Sequence, residues 1–164
     1  MTSAEGFATR LDAVVSRLDA HAARPHPGLT DADPRTGDRW DEGQVWAHLA
    51  EFIPYWIVQL GTILAADEPP GFGRTAADQH RLGEIERRRQ EPPATLMLTV
   101  RQESMALRDL ILRLDPDAWE RRGIHPTLGP MTVTEIVEDF LVGHLEQHAE
   151  QLERLQPSEG IHSS

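Results

Sequence analysis

The chain contains no cysteine. That absence excludes disulfides, a thiolate zinc site and a cysteine nucleophile, and it suits a reducing compartment. Any sulfur chemistry would have to use a thiol carried by another molecule. Long apolar runs are missing as well. No window approaches the ~20 consecutive apolar residues that cross a bilayer, and Met1-Thr-Ser-Ala-Glu-Gly shows no basic stretch leading into an apolar one. The expectation is a cytoplasmic protein with no membrane partner. Positive charge is also scarce. With 16 Lys and Arg against 27 Asp and Glu, the formal net charge is −11, which repels phosphate backbones and argues against a nucleic-acid partner. The one basic cluster, Arg87-Arg88-Arg89, is interleaved with Glu84, Glu86 and Glu91 and reads as a solvated helix face.

What is present points to one helical domain. A chain of 164 residues with 39% hydrophobic content is long enough to bury a core without dividing in two. Residues 1–156 are expected to form the domain and 157–164 a C-terminal tail. Four amphipathic helices are predicted from apolar spacing. The first spans about 4–22, with Phe7, Leu11, Val14, Val15 and Leu18 on one face and Thr2 with Glu5 as a capping box. Residues 24–39, rich in Pro and Gly, form a surface loop. The second helix follows Asp41, capped with Gln44, and runs to about Ala66; Pro54 should kink or break it. A short helix after Thr75 is allowed within the charged stretch 74–91. The third main helix covers about 94–114 and the fourth begins at the Thr132–Glu135 capping box and continues to Leu155. No strand pairing of comparable strength is visible. The predicted fold is an all-α four-helix bundle with a polar site between helices.

The chemistry is carried by histidine. His144 and His148 stand four residues apart, about one turn and roughly 40° around a helix, so both can reach one ion. Phe140 precedes the pair by four residues and Leu152 follows it by four, which aims both rings inward. Two buried imidazoles need partners for their donors and acceptors, and a metal ion supplies one. A His pair at this spacing is a weak motif on its own. His48 strengthens it, because it lies on the inner stripe of the second helix between Val45 and Phe52 and can meet the pair across the bundle. Three histidines with an open position form a familiar zinc arrangement. Glu51 and Gln44 are each placed to orient His48, although capping accounts equally for Gln44 and a surface position for Glu51. His21, His26, His80 and His162 sit in polar or terminal segments and read as ordinary; His125 lies in a loop that borders the site in one reading. Trp40, Trp46, Trp56 and Trp119 read as core or bundle-end packing. Arg39 and Arg122 are not distinguishable from surface arginines.

These residues also resemble a known family. The segment Trp40-Asp-Glu-Gly-Gln-Val-Trp-Ala-His48-Leu49 resembles the stretch around the first metal histidine of the DinB-like superfamily, which includes bacillithiol transferases and mycothiol-dependent maleylpyruvate isomerases. Gly129-Pro-Met-Thr132-Val-Thr-Glu135 with Gly143-His144-Leu-Glu-Gln-His148 resembles its last helix. The resemblance implies a four-helix bundle of the DinB type with His48, His144 and His148 as metal ligands between the second and fourth helices. In the isomerase branch a glutamate would stand where this chain has His144, a departure that favours the DinB and bacillithiol-transferase side.

The functional expectation is a metal-dependent transferase in which the ion activates a low-molecular-weight thiol, bacillithiol or mycothiol, for attack on an electrophilic small-molecule substrate. The alternatives are a hydrolase that activates water, and a non-catalytic metal-binding module; a homodimer is compatible with each. Zinc is the default metal, and imidazole ligands also admit nickel, copper, iron or manganese.

Overall fold

The computed structural model describes residues 3–155. Helix α1 (Ser3–Ala22) buries Phe7, Leu11, Val14 and Leu18, the stripe expected from the spacing; Thr2 of the expected capping box lies outside the described residues. Helix α2 (Glu42–Ala65) starts at the anticipated reciprocal cap, with Gln44 N–H donating to Asp41 Oδ1 at 2.9 Å and Asp41 N–H to Gln44 Oε1 at 3.0 Å. Helical structure continues through Pro54 without a break. The charged stretch contributes α3 (Gln79–Arg88), capped by Asp78. Arg87 pairs with Glu84 on the solvated side, whereas Arg89, just past the helix, reaches both Glu86 at 3.1 Å and Asp41 at the start of α2 at 2.7 Å. Helix α4 (Pro93–Arg113) opens with Pro at its first position, where a missing N–H costs nothing.

The four long helical segments pack in a ring. Helix α4 lies between α1 and α2, and α6 (Gly143–Arg154) closes the ring by packing against both α1 and α2, with α3 laid against α2. The core they enclose includes Trp46, Phe52, Leu96, Leu107, Ile136 and Leu145. Among the described residues, no helix is long and apolar enough to cross a membrane.

Two features depart from the sequence reading. The first is a hairpin of β1 (Arg122–His125) and β2 (Gly129–Thr132), antiparallel with Ile124 opposite Pro130. Its strands are four residues long and interrupted by Gly123 and Pro130, so they carry no alternating pattern to detect. Gly123 is needed there, because a Cβ would stand 2.5 Å from the Phe72 ring. The second departure is in the last helix. Thr132 and Glu135 cap it reciprocally as expected, and α5 (Val133–Ile136) follows. A π turn then occupies Val137–Val142, with Gly143 N–H bonded to the Glu138 carbonyl five residues back, before α6 begins. Arg10 of α1 braces this irregularity, reaching Glu138 within it at 2.7 Å and Glu146 beyond it at 2.5 Å.

The π turn leaves no room for a side chain at its exit: a Cβ on Gly143 would lie 2.2 Å from the Glu138 carbonyl oxygen. Gly143→Ala is therefore expected to destabilise the protein by roughly 2 kcal/mol or more in urea unfolding. Gly61→Ala, on exposed α2 surface with nothing within 4 Å of a Cβ, should stabilise it by about 0.5–1 kcal/mol.

Candidate metal centre

Helices α2 and α6 bring His48, His144 and His148 together. His48 Nε2 is 3.1 Å from His144 Nε2, and His148 Nε2 is 3.0 Å from the same atom. One nitrogen from each ring lies within 4.8 Å of the other two, so the three residues form a group that could hold a metal ion. Aromatic walls confine them. Trp40 meets His48 edge-on at 5.3 Å, and Phe52 packs against both His48 and His144.

The outward nitrogens explain the inward ones. His48 Nδ1 lies 3.2 Å from Glu51 Oε2 and His148 Nδ1 lies 2.6 Å from Gln151 Oε1, while His144 bonds to the Gln147 side chain. A carboxylate oxygen only accepts, so Nδ1 of His48 carries the proton and its Nε2 presents a lone pair to the centre. The same reasoning applies to His148 facing the amide oxygen. With Nδ1 protonated, His48 and His148 both turn Nε2 lone pairs toward His144 Nε2, at 3.1 and 3.0 Å. That donor set suits a cation with imidazole affinity.

Burial reinforces the neutral state. It is the main cause that holds His48 and His144 well below the ordinary histidine pKa, with the neighbouring imidazoles and Arg81 adding to it. His148 is pushed down to about 4, again chiefly by burial.

Behind His48 the supporting chain continues. Glu51 is paired with Arg74, their side chains only 5% and 7% exposed. Burial raises the Glu51 pKa and the Arg74 charge opposes that rise. The Arg74 guanidinium lies over the Tyr55 ring at 3.8 Å. Its backbone is fastened by the hairpin: His125 Nδ1 accepts from the N–H groups of Thr127 and Leu128, which leaves Nε2–H to donate to the Arg74 carbonyl. Gly73, at φ +86°, permits this approach, since a Cβ there would come within 2.7 Å of the His125 ring.

In front of the imidazoles is a cavity of about 370 Å³, lined by the loop 30–40, by Arg81 and Leu82 of α3, and by Gln147 and Gln151. The loop is held by its own bonds, Thr30 N–H to Trp40 O at 2.8 Å and Trp40 N–H to Thr30 Oγ1 at 2.9 Å.

The three expected site residues thus meet, and of the two residues considered for orienting His48, Glu51 does so while Gln44 serves as a cap. Trp46, Trp56 and Trp119 are core residues as expected, and Trp40 packs against the core while also lining the cavity. His125 is buried beside Trp56 and Phe140 rather than in the cavity. His21 and His26, read as ordinary polar-segment residues, are buried and share a 3.2 Å contact between ring nitrogens. His162 lies outside the described residues. Sequence reasoning missed Gln147, Gln151, Arg74 and Arg81. The two glutamines follow their histidines by three residues, the interval that also separates His48 from Glu51, and that repeated spacing is the signal that could have found them.

Comparison with known proteins agrees with the helical fold. The family described as the DinB superfamily matches residues 5–152. No match was found among curated proteins. A solved structure of YfiT from Bacillus subtilis, described as a probable metal-dependent hydrolase with an unusual four-helix bundle topology, superposes with a TM-score of 0.71 at 18% identity, covering 93% of this chain and 85% of that one. The mycothiol-dependent maleylpyruvate isomerase superposes with a TM-score of 0.67 at 16% identity, over 91% of this chain and 60% of its own length.

The depressed histidine pKa values make the metal-free protein sensitive to acid. The unfolded chain takes up protons near the free histidine value of about 6.5, before the folded chain does, so stability is full above that pH and declines as pH falls toward about 4. Urea midpoints in chelator should be flat above pH 7 and fall steadily between pH 6.5 and 4.5. A midpoint that rises across that interval would contradict a neutral buried triad.

Proposed function

Since the chain belongs to the DinB superfamily, we propose that His48, His144 and His148 hold a divalent metal ion, zinc by default, and that the site is a metal-dependent thiol transferase. The observation that carries this reading is the convergence of three imidazole nitrogens at the inner end of an open, small-molecule-sized cavity. A staple would need no such opening. Bound there, the ion would stabilise the thiolate form of a coordinated thiol and so supply the nucleophile the cysteine-free chain lacks.

The protein's own residues prepare that position. Glu51, Gln147 and Gln151 orient the three rings, and a neutral ligand set keeps the cation's charge undiminished toward an anionic ligand. Phe52 and Trp40 shield the rings from bulk water. The thiol is of low molecular weight, bacillithiol or mycothiol, and its partner is an electrophilic small molecule. Glu51 is committed to His48 and Arg74, so it is not a free base. A hydrolase is favoured by a different observation: Asp31, Asp33 and Asp38 line the same cavity and offer carboxylates that could take a proton from water.

Zinc-loaded wild type and His148→Ala, incubated with bacillithiol, mycothiol or glutathione and a model electrophile, separate the two. The expected result is thiol consumption by wild type alone, with bound zinc lost from the variant and its helical circular dichroism retained. Equal rates for both proteins would remove the metal from the reaction. No acceleration with any thiol, alongside hydrolysis of an ester or amide panel, would assign the site to the hydrolase.

A further inference from the structure

The chain as a whole carries a formal charge of −11, yet the cavity over the imidazoles holds two arginines, Arg35 and Arg81. They are not equivalent. Arg35 is a rim residue, 83% exposed and matched with Asp33 at 3.9 Å. Arg81 sits in the first turn of α3, half-buried, with its guanidinium 5.5 Å from the centre of the Trp40 ring. It donates through one nitrogen to the Ala76 carbonyl at 2.9 Å, and no carboxylate among the described residues forms an ion pair with it. A guanidinium has five N–H donors, so most of its capacity is uncommitted. Its charge is felt at His48, His144 and His148 alike, which places it on the space those rings face.

A guanidinium partly withdrawn from water and steadied on an indole face is a ready partner for a planar anion, because the two N–H groups of the fork match the two oxygens of a carboxylate. Asp31, Asp33 and Asp38 line the same cavity. They would oppose a doubly charged phosphate more strongly than a singly charged carboxylate.

We propose that Arg81 anchors a carboxylate on the small molecule that reaches the metal position, so that the site takes a carboxylate-bearing thiol or electrophile. This rests on the metal-centre reading above and adds to it the chemical class of the ligand.

Calorimetric titration of zinc-loaded full-length protein with 3-mercaptopropionate, 2-mercaptoethanol, propionate and inorganic phosphate tests it. Wild type should bind 3-mercaptopropionate about ten-fold more tightly than 2-mercaptoethanol, the scale of one charge-assisted contact. In Arg81→Gln that preference should shrink to about two-fold or less, and Arg81→Lys should restore part of it, with zinc content and circular dichroism verifying each variant. If the glutamine variant does not fold, the lysine variant and the wild-type ratio carry the comparison. Equal binding of the two thiols by wild type, or a preference that survives Arg81→Gln, overturns the carboxylate anchor while leaving thiol binding at the metal in place. Binding of neither thiol, with propionate held by wild type and released by Arg81→Gln, supports the anchor and removes the thiol. Arg81-dependent binding of phosphate in preference to propionate overturns the carboxylate class.

Discussion

His144 Nε2 stands within hydrogen-bond distance of the Nε2 atoms of both His48 and His148, while Glu51, Gln147 and Gln151 hold the rings, and this crowding is the constraint around which the rest of the structure is arranged. Neutral His144 can donate from Nε2 to only one of the two lone pairs that face it, and protonated rings would repel through their charges. A cation would engage all three nitrogens at once. The bundle must therefore hold the rings in place by other means, and it does so through apolar packing. Phe52 packs against all three, and both histidine-bearing helices are rooted in a core that includes Leu49, Leu60, Leu145 and Leu152.

The supports are distributed unevenly. His144 and His148 depend on glutamines of their own helix, one turn away, which are partly accessible from the cavity. His48 depends on a chain that leaves its helix altogether: Glu51, then Arg74 in the segment after α2, then His125 in the hairpin. Phe72 N–H donates to the Ile124 carbonyl at 3.0 Å and Ile124 N–H to the Pro70 carbonyl at 2.8 Å, fixing that segment to β1. The hairpin thus has a structural task despite its size. It anchors the backbone whose arginine balances the buried Glu51 carboxylate.

Much of this was legible from residue order, and the limits have physical causes. The capping boxes at Asp41 and Thr132 are local chemistry and were readable as such. The three histidines were readable because they continue apolar stripes. Arg74 was not, since its role comes from a contact across 23 residues to a carboxylate that looked like surface. Arg81 was hidden by its setting in a charged segment, where most arginines pair with near neighbours, as Arg87 does with Glu84. His21 and His26 were misjudged for a related reason. Their flanking residues are polar, but the end of α1 folds against α6 and the loop returns His26 beneath the start of α2, where its backbone donates to Glu42 at 3.1 Å.

The π turn at Val137–Val142 changes how distances along the last helix are to be counted. A regular helix advances about 100° per residue, so one additional residue within a turn offsets everything beyond it by roughly that angle. A helical wheel drawn from the cap at Thr132 therefore misplaces His144 and His148, whereas one drawn from Gly143 places them correctly. Spacing between cap and histidines is thus a quantity in its own right. Among related sequences, a chain that keeps every histidine but loses one residue between Thr132 and Gly143 would keep the motif and turn it away from α2. An alignment scored on residue identity alone would not register the difference.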